Sequence, residues 1–470
     1  MSENNTSGND RVFHGRRTIY TDVQEINENN VVSVLNDAIP IHTKNRIEID
    51  YLYNYYKGEQ PILYRKKDIR PEICNKLMEN RANEIVSFKT GYLMGEPVQY
   101  INRSEESGNS EALNQLNDYV YIDNKNIKDK LLADWFHICG IAYKLVMPNR
   151  FYDANSDEEE SPFCTYVLDP RNAFVIRVND ITQRVIAGVK YVIKRDNTVV
   201  YSVYTGDTYY EIINDKVVDI KSHDCGSVPI VEYSSGNAKL GAFEIVLPIL
   251  DAINRVESNR VDAVEQFVQA LLVLVGVDMG TDDFKNLIEL GGLKVPLGAD
   301  VKYLVQELNQ QQSQTLKDDM YETVLTICGM PNRNGGTSTS DTGKAVIMRD
   351  GWSAAEARAK DSEEMYKSSE KEALKIMLRI CRRVAGNVNI KLSSINIRFT
   401  RRNFENILEK AQVLTMMLGS DKIDPSLAFA HCGMFVDSEL AYTLSKKYIE
   451  TTSAEVEVSD FSSSTEPPSA

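Results

Sequence analysis

One loop of small polar residues carries the pattern most suggestive of nucleotide chemistry. Residues 335–344 are GGTSTSDTGK. A phosphate-binding loop needs a glycine five positions before its Gly-Lys pair, and a serine or threonine after the lysine to hold Mg²⁺. Here Ser338 stands at the glycine position and Ala345 follows Lys344. The spacing therefore favours a flexible loop over an ATP-binding site.

Three histidine-cysteine pairs are the candidates for metal binding. They are His137 with Cys139, His223 with Cys225, and His431 with Cys432. A structural zinc site needs four ligands at recognisable spacing, and each pair supplies two. The sequence also lacks the H-E-x-x-H and G-x-S-x-G motifs of hydrolases. We therefore predict buried thiols and imidazoles, with no catalytic residue, metal or cofactor.

A cluster of three arginines, Arg398, Arg401 and Arg402, ends a predicted strand. Such a cluster can hold a phosphate backbone, or it can form salt bridges on a surface or at a subunit contact. The chain has 53 Lys and Arg against 68 Asp and Glu, a formal net charge of −15. That balance repels nucleic acid, so we favour the salt-bridged surface.

The composition is that of a globular protein of several folding units. The 470 residues are 42% hydrophobic and 26% charged, which suffices for about two to four domains. The seven cysteines include no C-x-x-C, as is typical of reduced intracellular thiols. The longest mostly apolar uncharged run, 266–277, is shorter than the roughly 20 residues that span a bilayer. We expect a soluble intracellular protein without a membrane segment.

The first half of the chain changes from helical to strand periodicity. Residues 1–44 are polar and are predicted to be a flexible arm with a short helix near 21–35. Apolar spacing of three to four then predicts helices at 45–56, 71–95, 110–121 and 126–139. From 140 to 233, β-branched and aromatic runs separated by turn residues predict a series of strands.

The second half is predicted to be mainly helical. A helix over 241–276, kinked at Pro248, begins charged and ends uncharged. A short helix and a strand follow within 277–310, then a helix at 313–328. Beyond the polar loop, a long helix over 341–384 is interrupted at Gly351 and carries opposite charges at Glu363 and Lys367. A strand within 388–400, two or three helices over 404–450, and a disordered acidic tail at 451–470 complete the prediction.

A run of motifs near the N-terminus resembles one protein family. Residues 55–58 are Tyr-Tyr-Lys-Gly, Asn80 and Arg81 follow, and residues 90–97 read TGYLMGEP. This segment resembles the N-terminal region of portal proteins of long-tailed double-stranded DNA bacteriophages. The later order of elements fits the same family, and the resemblance covers about residues 45–450.

The resemblance implies an α+β, mainly helical fold with named parts. It places a wing at 45–250 and 346–402, stem helices at 251–276 and 311–328, and a clip at 277–310. A tunnel loop would occupy 329–345, a helical crown 403–450, and the arm and the acidic tail would flank them.

The family also implies a function without enzymology. Its members form a ring, usually of twelve subunits, at one capsid vertex of the virion, after assembly in the host cytoplasm. Double-stranded DNA passes through the channel during packaging and ejection, without sequence specificity. The implied protein partners are the terminase large subunit, the major capsid and scaffolding proteins, and head-completion adaptor proteins. The resemblance implies neither a cofactor nor a membrane.

Two sets of site residues follow from the resemblance. The tunnel loop would line the DNA channel with Arg333, Asn334, Gly335, Gly336, Thr337, Ser338, Thr339, Ser340 and Lys344. The uncharged end of the first stem helix would be covered by neighbouring subunits at Phe267, Leu271, Leu272 and Val275. Two alternatives remain open at this point: a nucleotide-using enzyme of the packaging machinery, and a cytosolic helical scaffold protein.

Overall fold

The computed structural model describes residues 15–103, 110–153, 160–223, 225–268, 271–275, 300–304, 310–332, 351–386, 388–401, 407–435, 438 and 441–451. The helices within these residues are α1 (Val31–Lys57), α2 (Arg81–Leu93), α3 (Ser110–Ile122), α4 (Lys125–Cys139), α5 (Leu247–Val268), α6 (Gln310–Cys328), α7 (Trp352–Ile380), α8 (Ile407–Leu418), α9 (Pro425–His431) and α10 (441–451). The strands are β1 (Ile19–Thr21), β2 (Gln99–Asn102), β3 (Ile141–Pro148), β4 (Phe163–Leu168), β5 (Ala173–Val178), β6 (Val185–Ile193), β7 (Val199–Tyr204), β8 (Thr208–Ile213), β9 (Lys216–Ser222), β10 (Ile230–Ser234), β11 (Leu271–Val275), β12 (Asp300–Leu304) and β13 (Ile395–Arg398). The predicted α+β, mainly helical class is confirmed.

The N-terminal segment is part of the folded body from residue 15 onwards, so the prediction of a free arm over 1–44 is wrong for 15–44. Strand β1 pairs in parallel with β5, with Ile19 opposite Ile176. The buried Arg16 guanidinium donates to the buried Glu244 carboxylate at 2.6 Å. A buried charge pair and a sheet partner fix this segment, and neither can be inferred from its polar composition.

Helix α1 is continuous across Pro40, although the sequence predicted a short helix before it and a separate one after it. Buried side chains recur at helical spacing on both sides of the proline, as in Leu35, Ala38 and Ile49. This continuous buried face offsets the one backbone hydrogen bond that proline removes. The helix ends at Gly58, as predicted, in the left-handed conformation (φ 106°).

The strands predicted between 140 and 233 form two sheets. The larger has the order β1-β5-β6-β7-β8-β9, and all its pairings after β1 are antiparallel. The smaller has the antiparallel order β10-β3-β4. One face of the large sheet packs on α1 in a core that also includes the start of α5 and the end of α6. The alternation of apolar residues predicted this region correctly.

Helix α7 organises a second core. Its buried side chains, among them Tyr366, Leu374 and Met377, pack with α3, α4 and the smaller sheet. Strand β13 pairs with β2, with Ile397 opposite Tyr100, and so joins the C-terminal part of the chain to its N-terminal part. The predicted strand within 388–400 is therefore confirmed as a short strand at 395–398.

Candidate functional site: the helical hairpin and the loop that follows it

Helices α5 and α6 pack against each other as a hairpin, and the chemical character of the contact between them changes along its length. Near the body, Ile253 and Val324 are fully buried. Farther along, the contact is polar: the Arg260 guanidinium donates to the Gln314 side-chain oxygen at 2.9 Å, and Lys317 pairs with Glu257 at 2.9 Å. Apolar packing therefore anchors the hairpin at its base, and charged groups hold its outer part together.

The predicted stem helix is shorter than expected, because α5 ends at Val268. Phe267 lies in its last turn, whereas Leu271, Leu272 and Val275 lie on β11. This strand pairs antiparallel with β12, placing Leu271 opposite Leu304 and Val275 opposite Asp300. A short apolar run rich in leucine and valine fits a strand as well as a helix, and the pairing with β12 decides between them. The helical assignment of these three residues is wrong, while their burial between subunits stays a prediction.

A ladder of side chains on α5 holds an extended segment of the chain at 75–79. The Asn254 side-chain oxygen Oδ1 accepts from the Glu79 N–H at 2.8 Å, and Ser258 Oγ accepts from the Leu77 N–H at 2.9 Å. One turn farther, the Asp262 carboxylate accepts from the Asn75 N–H at 2.7 Å. Residues four apart on the helix thus bind residues two apart on the extended segment.

This polar ladder explains why the helix predicted over 71–95 begins only at residue 81. The segment's N–H groups are taken by α5 and are unavailable for helical bonds. Helix α2 then starts at Asn80, whose side chain accepts from the Asn83 N–H at 3.3 Å. The spacing of polar residues at 254, 258 and 262 within an otherwise amphipathic helix was the available signal.

Asp262 is the charged centre of the ladder. Its carboxylate pairs with Lys67 at 2.7 Å and Arg65 at 3.0 Å. Burial raises the pKa of Asp262, but the hydrogen bonds from Lys67 and Asn75 and the charge of Arg65 outweigh burial and lower the pKa below its usual value. The carboxylate therefore stays ionised and binds three residues, Arg65, Lys67 and Asn75, to the hairpin.

Helix α6 is also clamped onto α2. Lys317 pairs with Glu79 at 2.6 Å, and the Tyr321 hydroxyl donates to the Glu84 carboxylate at 2.8 Å. The Arg81 guanidinium lies over the Tyr321 ring at 4.1 Å from its centre. The hairpin therefore has a fixed root on the body of the subunit.

Residues 333–350 lie outside the described structure, and the described residues on either side of them meet at one place. Gly329 takes a left-handed conformation (φ 64°) that ends α6, and Gly351 (φ 79°) precedes α7. A Cβ on Gly351 would lie 3.8 Å from both the Met330 carbonyl oxygen and the Pro331 Cα. The two ends of the loop are therefore in contact. All the predicted channel residues, Arg333 to Ser340 and Lys344, lie outside the described residues.

The arginine cluster is engaged within the chain. Arg401 contacts both carboxylate oxygens of Glu356, at 2.9 and 3.2 Å, and pairs with Glu363 at 2.6 Å. Arg398 donates to the Phe435 carbonyl oxygen at 3.3 Å. The interpretation as a salt-bridged surface is confirmed for Arg401, and Arg402 lies outside the described residues.

The first histidine-cysteine pair is part of the core. Burial and the nearby Lys89 lower the pKa of His137 to about 3, and one of its ring nitrogens lies 3.2 Å from the Thr90 hydroxyl. Burial raises the pKa of the Cys139 thiol to about 12, so it stays protonated at neutral pH. In the part of the chain that the structure describes, no three His, Cys, Asp or Glu side chains are grouped as metal ligands.

A buried charge cluster ties α7 to α4 and the smaller sheet, and the sequence analysis missed it. The Glu370 carboxylate accepts from Lys144 at 2.8 Å, and it pairs with Lys125 at 2.9 Å. Both lysines also pair with Asp129. The hydroxyls of Tyr100 and Tyr233 donate to Glu370 at 2.6 and 2.5 Å. The side chain of Glu370 is fully buried.

The charge cluster is internally balanced, with two lysines against two carboxylates. Burial opposes the charge on Glu370, yet Lys125 and Lys144 hold the pKa of Glu370 far below its usual range. Two of the residues involved, Lys144 and Glu370, are separated by 226 positions in the sequence. No local pattern reveals such a pairing.

The described chain is thus an α+β body that carries a two-helix hairpin, α5 and α6, and the long helix α7. The sequence matches the family described as "Phage portal protein, SPP1 Gp6-like" over residues 35–453. The match spans most of the chain, and the protein belongs to this family. The resemblance inferred from the N-terminal motifs is confirmed.

Among solved structures, the chain is similar to one described as "Neck of empty GTA particle computed with C6 symmetry". The identity is 11% and the TM-score 0.42, over 75% of this chain and 90% of that chain. No curated protein matches the sequence.

Family membership assigns the general role. Portal proteins are structural and non-enzymatic, form an oligomeric ring at a capsid vertex, and contact capsid and connector proteins. The alternative of a nucleotide-using enzyme is therefore wrong. None of the described helices is long and apolar enough to cross a bilayer.

Proposed function

We propose that twelve copies of this chain form a ring whose channel carries double-stranded DNA into the capsid and later out of it. The match to the phage portal family over residues 35–453 carries this proposal. The net charge of −15 supports it, because an acidic ring resists tight binding to phosphates and lets the duplex slide. The ring is assembled in the host cytoplasm and remains in the virion.

We assign the parts of the subunit accordingly. The wing comprises 45–250 and 346–402. The clip comprises 277–310, which includes β12, and β11 lies just before it. The stem comprises α5 and α6, the tunnel loop 329–345, and the crown 403–450. The clip docks the terminase large subunit during packaging and head-completion proteins afterwards. The wing meets the major capsid and scaffolding proteins.

Mass measurement under native conditions tests the assembly. Purified protein should give one species of twelve chains. A monomer or dimer at micromolar concentration would refute the ring and favour the cytosolic scaffold instead. Leu271→Asp should dissociate the ring or cause misassembly, because an unpaired charge in an apolar contact costs several kcal/mol. A normal ring of this variant by electron microscopy would show that Leu271 lies outside the interface.

The loop is tested by packaging. Gly335 and Gly336 offer small uncharged surfaces that touch DNA without holding it, and Arg333 and Lys344 supply weak phosphate contacts. Replacing both glycines with phenylalanine should spare the ring and lower the yield of full capsids. Gly206→Phe, at a surface turn with no neighbour within 4 Å of a Cβ, is the matched control. Full genomes packaged at the normal rate by the loop variant would make the loop a mere linker.

A further inference from the structure

A narrow recess lies between α2 and α7, beside the end of α6. Lys89 and Tyr92 line it from α2, Gly329 from the end of α6, and Ala355, Arg358 and Ser362 from α7. Its volume is about 20 Å³, which is space for roughly one water-sized group. The recess is open to solvent on the side of Arg358, whose side chain is exposed.

Two cations face this recess without a counter-ion. Among the described residues, the side chains of Lys89 and Arg358 make no hydrogen bond or ion pair. On the same helix, the carboxylates of Glu356 and Glu363 are already engaged, since Glu356 binds Arg401 and Tyr92, and Glu363 binds Arg401 and Lys367. Burial lowers the pKa of Lys89, and the adjacent Arg358 lowers it further. Within the described residues, the positive charge at the recess is therefore not compensated by an anionic group.

Gly329 makes the room that Arg358 occupies. A Cβ on Gly329 would lie 2.6 Å from Arg358 Cγ, closer than any real contact of this kind. The arginine stem thus rests against the glycine, and its position beside Lys89 is fixed by packing. An arginine side chain that is already restrained by packing loses less conformational entropy when it binds a carboxylate than an unrestrained arginine does.

We propose that this recess receives a side-chain carboxylate from a neighbouring subunit of the ring. One oxygen of a side-chain carboxylate is about the size of a water and can enter the recess. The carboxylate also matches the planar donor pair of the arginine at its edge. A phosphodiester is flanked by two sugars and is too wide for the recess. Each chain has 68 Asp and Glu against 53 Lys and Arg, so a neighbouring subunit has carboxylates in excess of cations. The proposal rests on the ring assembly described under Proposed function.

Zero-length cross-linking tests the proposal directly. Full-length chain labelled with ¹⁵N is mixed with unlabelled chain, assembled into rings, and treated with a water-soluble carbodiimide. This reagent joins a lysine amine to a touching carboxylate as an amide, with loss of water. We expect Lys89 joined to an Asp or Glu in peptide pairs of mixed isotope content, which identifies two different chains.

Two internal references make the result decisive. Lys317 and Glu79 lie 2.6 Å apart within one chain and should cross-link without isotope mixing. Lys89→Arg keeps the charge but cannot form the amide, so the Lys89 cross-link should disappear while the Lys317 to Glu79 cross-link remains. A Lys317 cross-link without any Lys89 cross-link, or a Lys89 cross-link confined to one chain, would overturn the proposal. The native mass is measured before the reaction. Absence of a ring would refute both the ring assembly and the carboxylate contact, whereas an intact ring without the Lys89 cross-link would refute the carboxylate contact alone.

The energetic consequence is measurable by dilution. We expect the double variant with Lys89→Gln and Arg358→Gln to form a weaker ring. At low salt, the chain concentration at which half of the rings dissociate should rise about fivefold for each interface pair that is lost. Raising salt should reduce this difference, because it screens the wild-type pair. Lys360→Gln, at an exposed position of α7, is the control and should change nothing. If the double variant dissociates like wild type, the ligand of the recess is not a subunit carboxylate.

Discussion

Replacing Glu370 with glutamine should destabilise the subunit more than any surface change of the same kind. The buried charge cluster contains Lys125 and Lys144 against Asp129 and Glu370, and all four are at most 2% exposed. Glutamine keeps the size of the side chain and removes one negative charge. Two buried ammonium groups then share one carboxylate.

The expected loss is about 3–5 kcal/mol of unfolding free energy, which is typical when one partner of a buried ion pair is removed. That is a large part of the roughly 5–15 kcal/mol that stabilises an ordinary domain. Adding Lys144→Met to Glu370→Gln removes the excess positive charge. The double variant should therefore be at least about 1 kcal/mol more stable than Glu370→Gln alone.

The pH dependence follows from the lowered pKa of Glu370 in the folded protein. In the unfolded chain this carboxyl titrates near pH 4.3, about the usual value for glutamate. Its stabilising contribution is therefore complete above that pH and is lost progressively as the pH falls below it. Glu370→Gln lacks this contribution, so the gap between wild type and variant should shrink below about pH 4.

Urea unfolding at one fixed chain concentration measures these differences, since ring assembly contributes to apparent stability. Glu372→Gln, on the same helix at 63% side-chain exposure, is the control and should shift stability by less than about 0.5 kcal/mol. An unfolding free energy for Glu370→Gln within about 1 kcal/mol of wild type would refute the assigned role of the cluster. A gap that stays constant down to pH 2 would refute the electrostatic explanation.

Three further predictions concern the hairpin root and the tail. Asp262→Asn should cost about 1–3 kcal/mol in urea unfolding, because it leaves two cations without a charged partner, whereas Glu265→Gln at an exposed position should be neutral. Gly329→Ala should lower the melting temperature, because it forces a left-handed alanine (φ 64°) against an arginine side chain; Gly91→Ala, in a helix with open space around it, should raise the melting temperature slightly. Deleting residues 451–470 should leave the number of chains in the ring unchanged, so that the native mass falls only by the mass of the deleted tails. Loss of the ring would show that the tail packs against the folded protein.

Periodicity in the sequence predicted most regular elements correctly. Alternating residues between 140 and 233 gave the strands, and three-to-four spacing gave α4, α6 and most of α7. The pair Glu363 and Lys367, predicted from its spacing on one helix face, lies at 2.5 Å. These features depend on neighbours in the chain, which is why a sequence alone suffices for them.

The elements that the sequence misassigned are decided by distant residues. The segment at 75–79 is extended because side chains of α5 bind its N–H groups, and β11 is a strand because β12 pairs with it. The N-terminal residues are ordered because Arg16 meets Glu244 across 228 positions. Pairings of this kind leave no local pattern, and the charge cluster around Glu370 is the extreme example.

The polar ladder on α5 has a consequence for how the surface of this protein can diversify. Asn254, Ser258 and Asp262 bind main-chain N–H groups at alternate positions, so these three hydrogen bonds do not depend on the side chains at 76 and 77. Proline is excluded at positions 75, 77 and 79, because it has no N–H to donate. Lys76 and Leu77, which are exposed, can therefore be replaced by other residues except proline at 77 without loss of these hydrogen bonds. Substitution there can alter what the outer surface of the hairpin root contacts while the root keeps its shape.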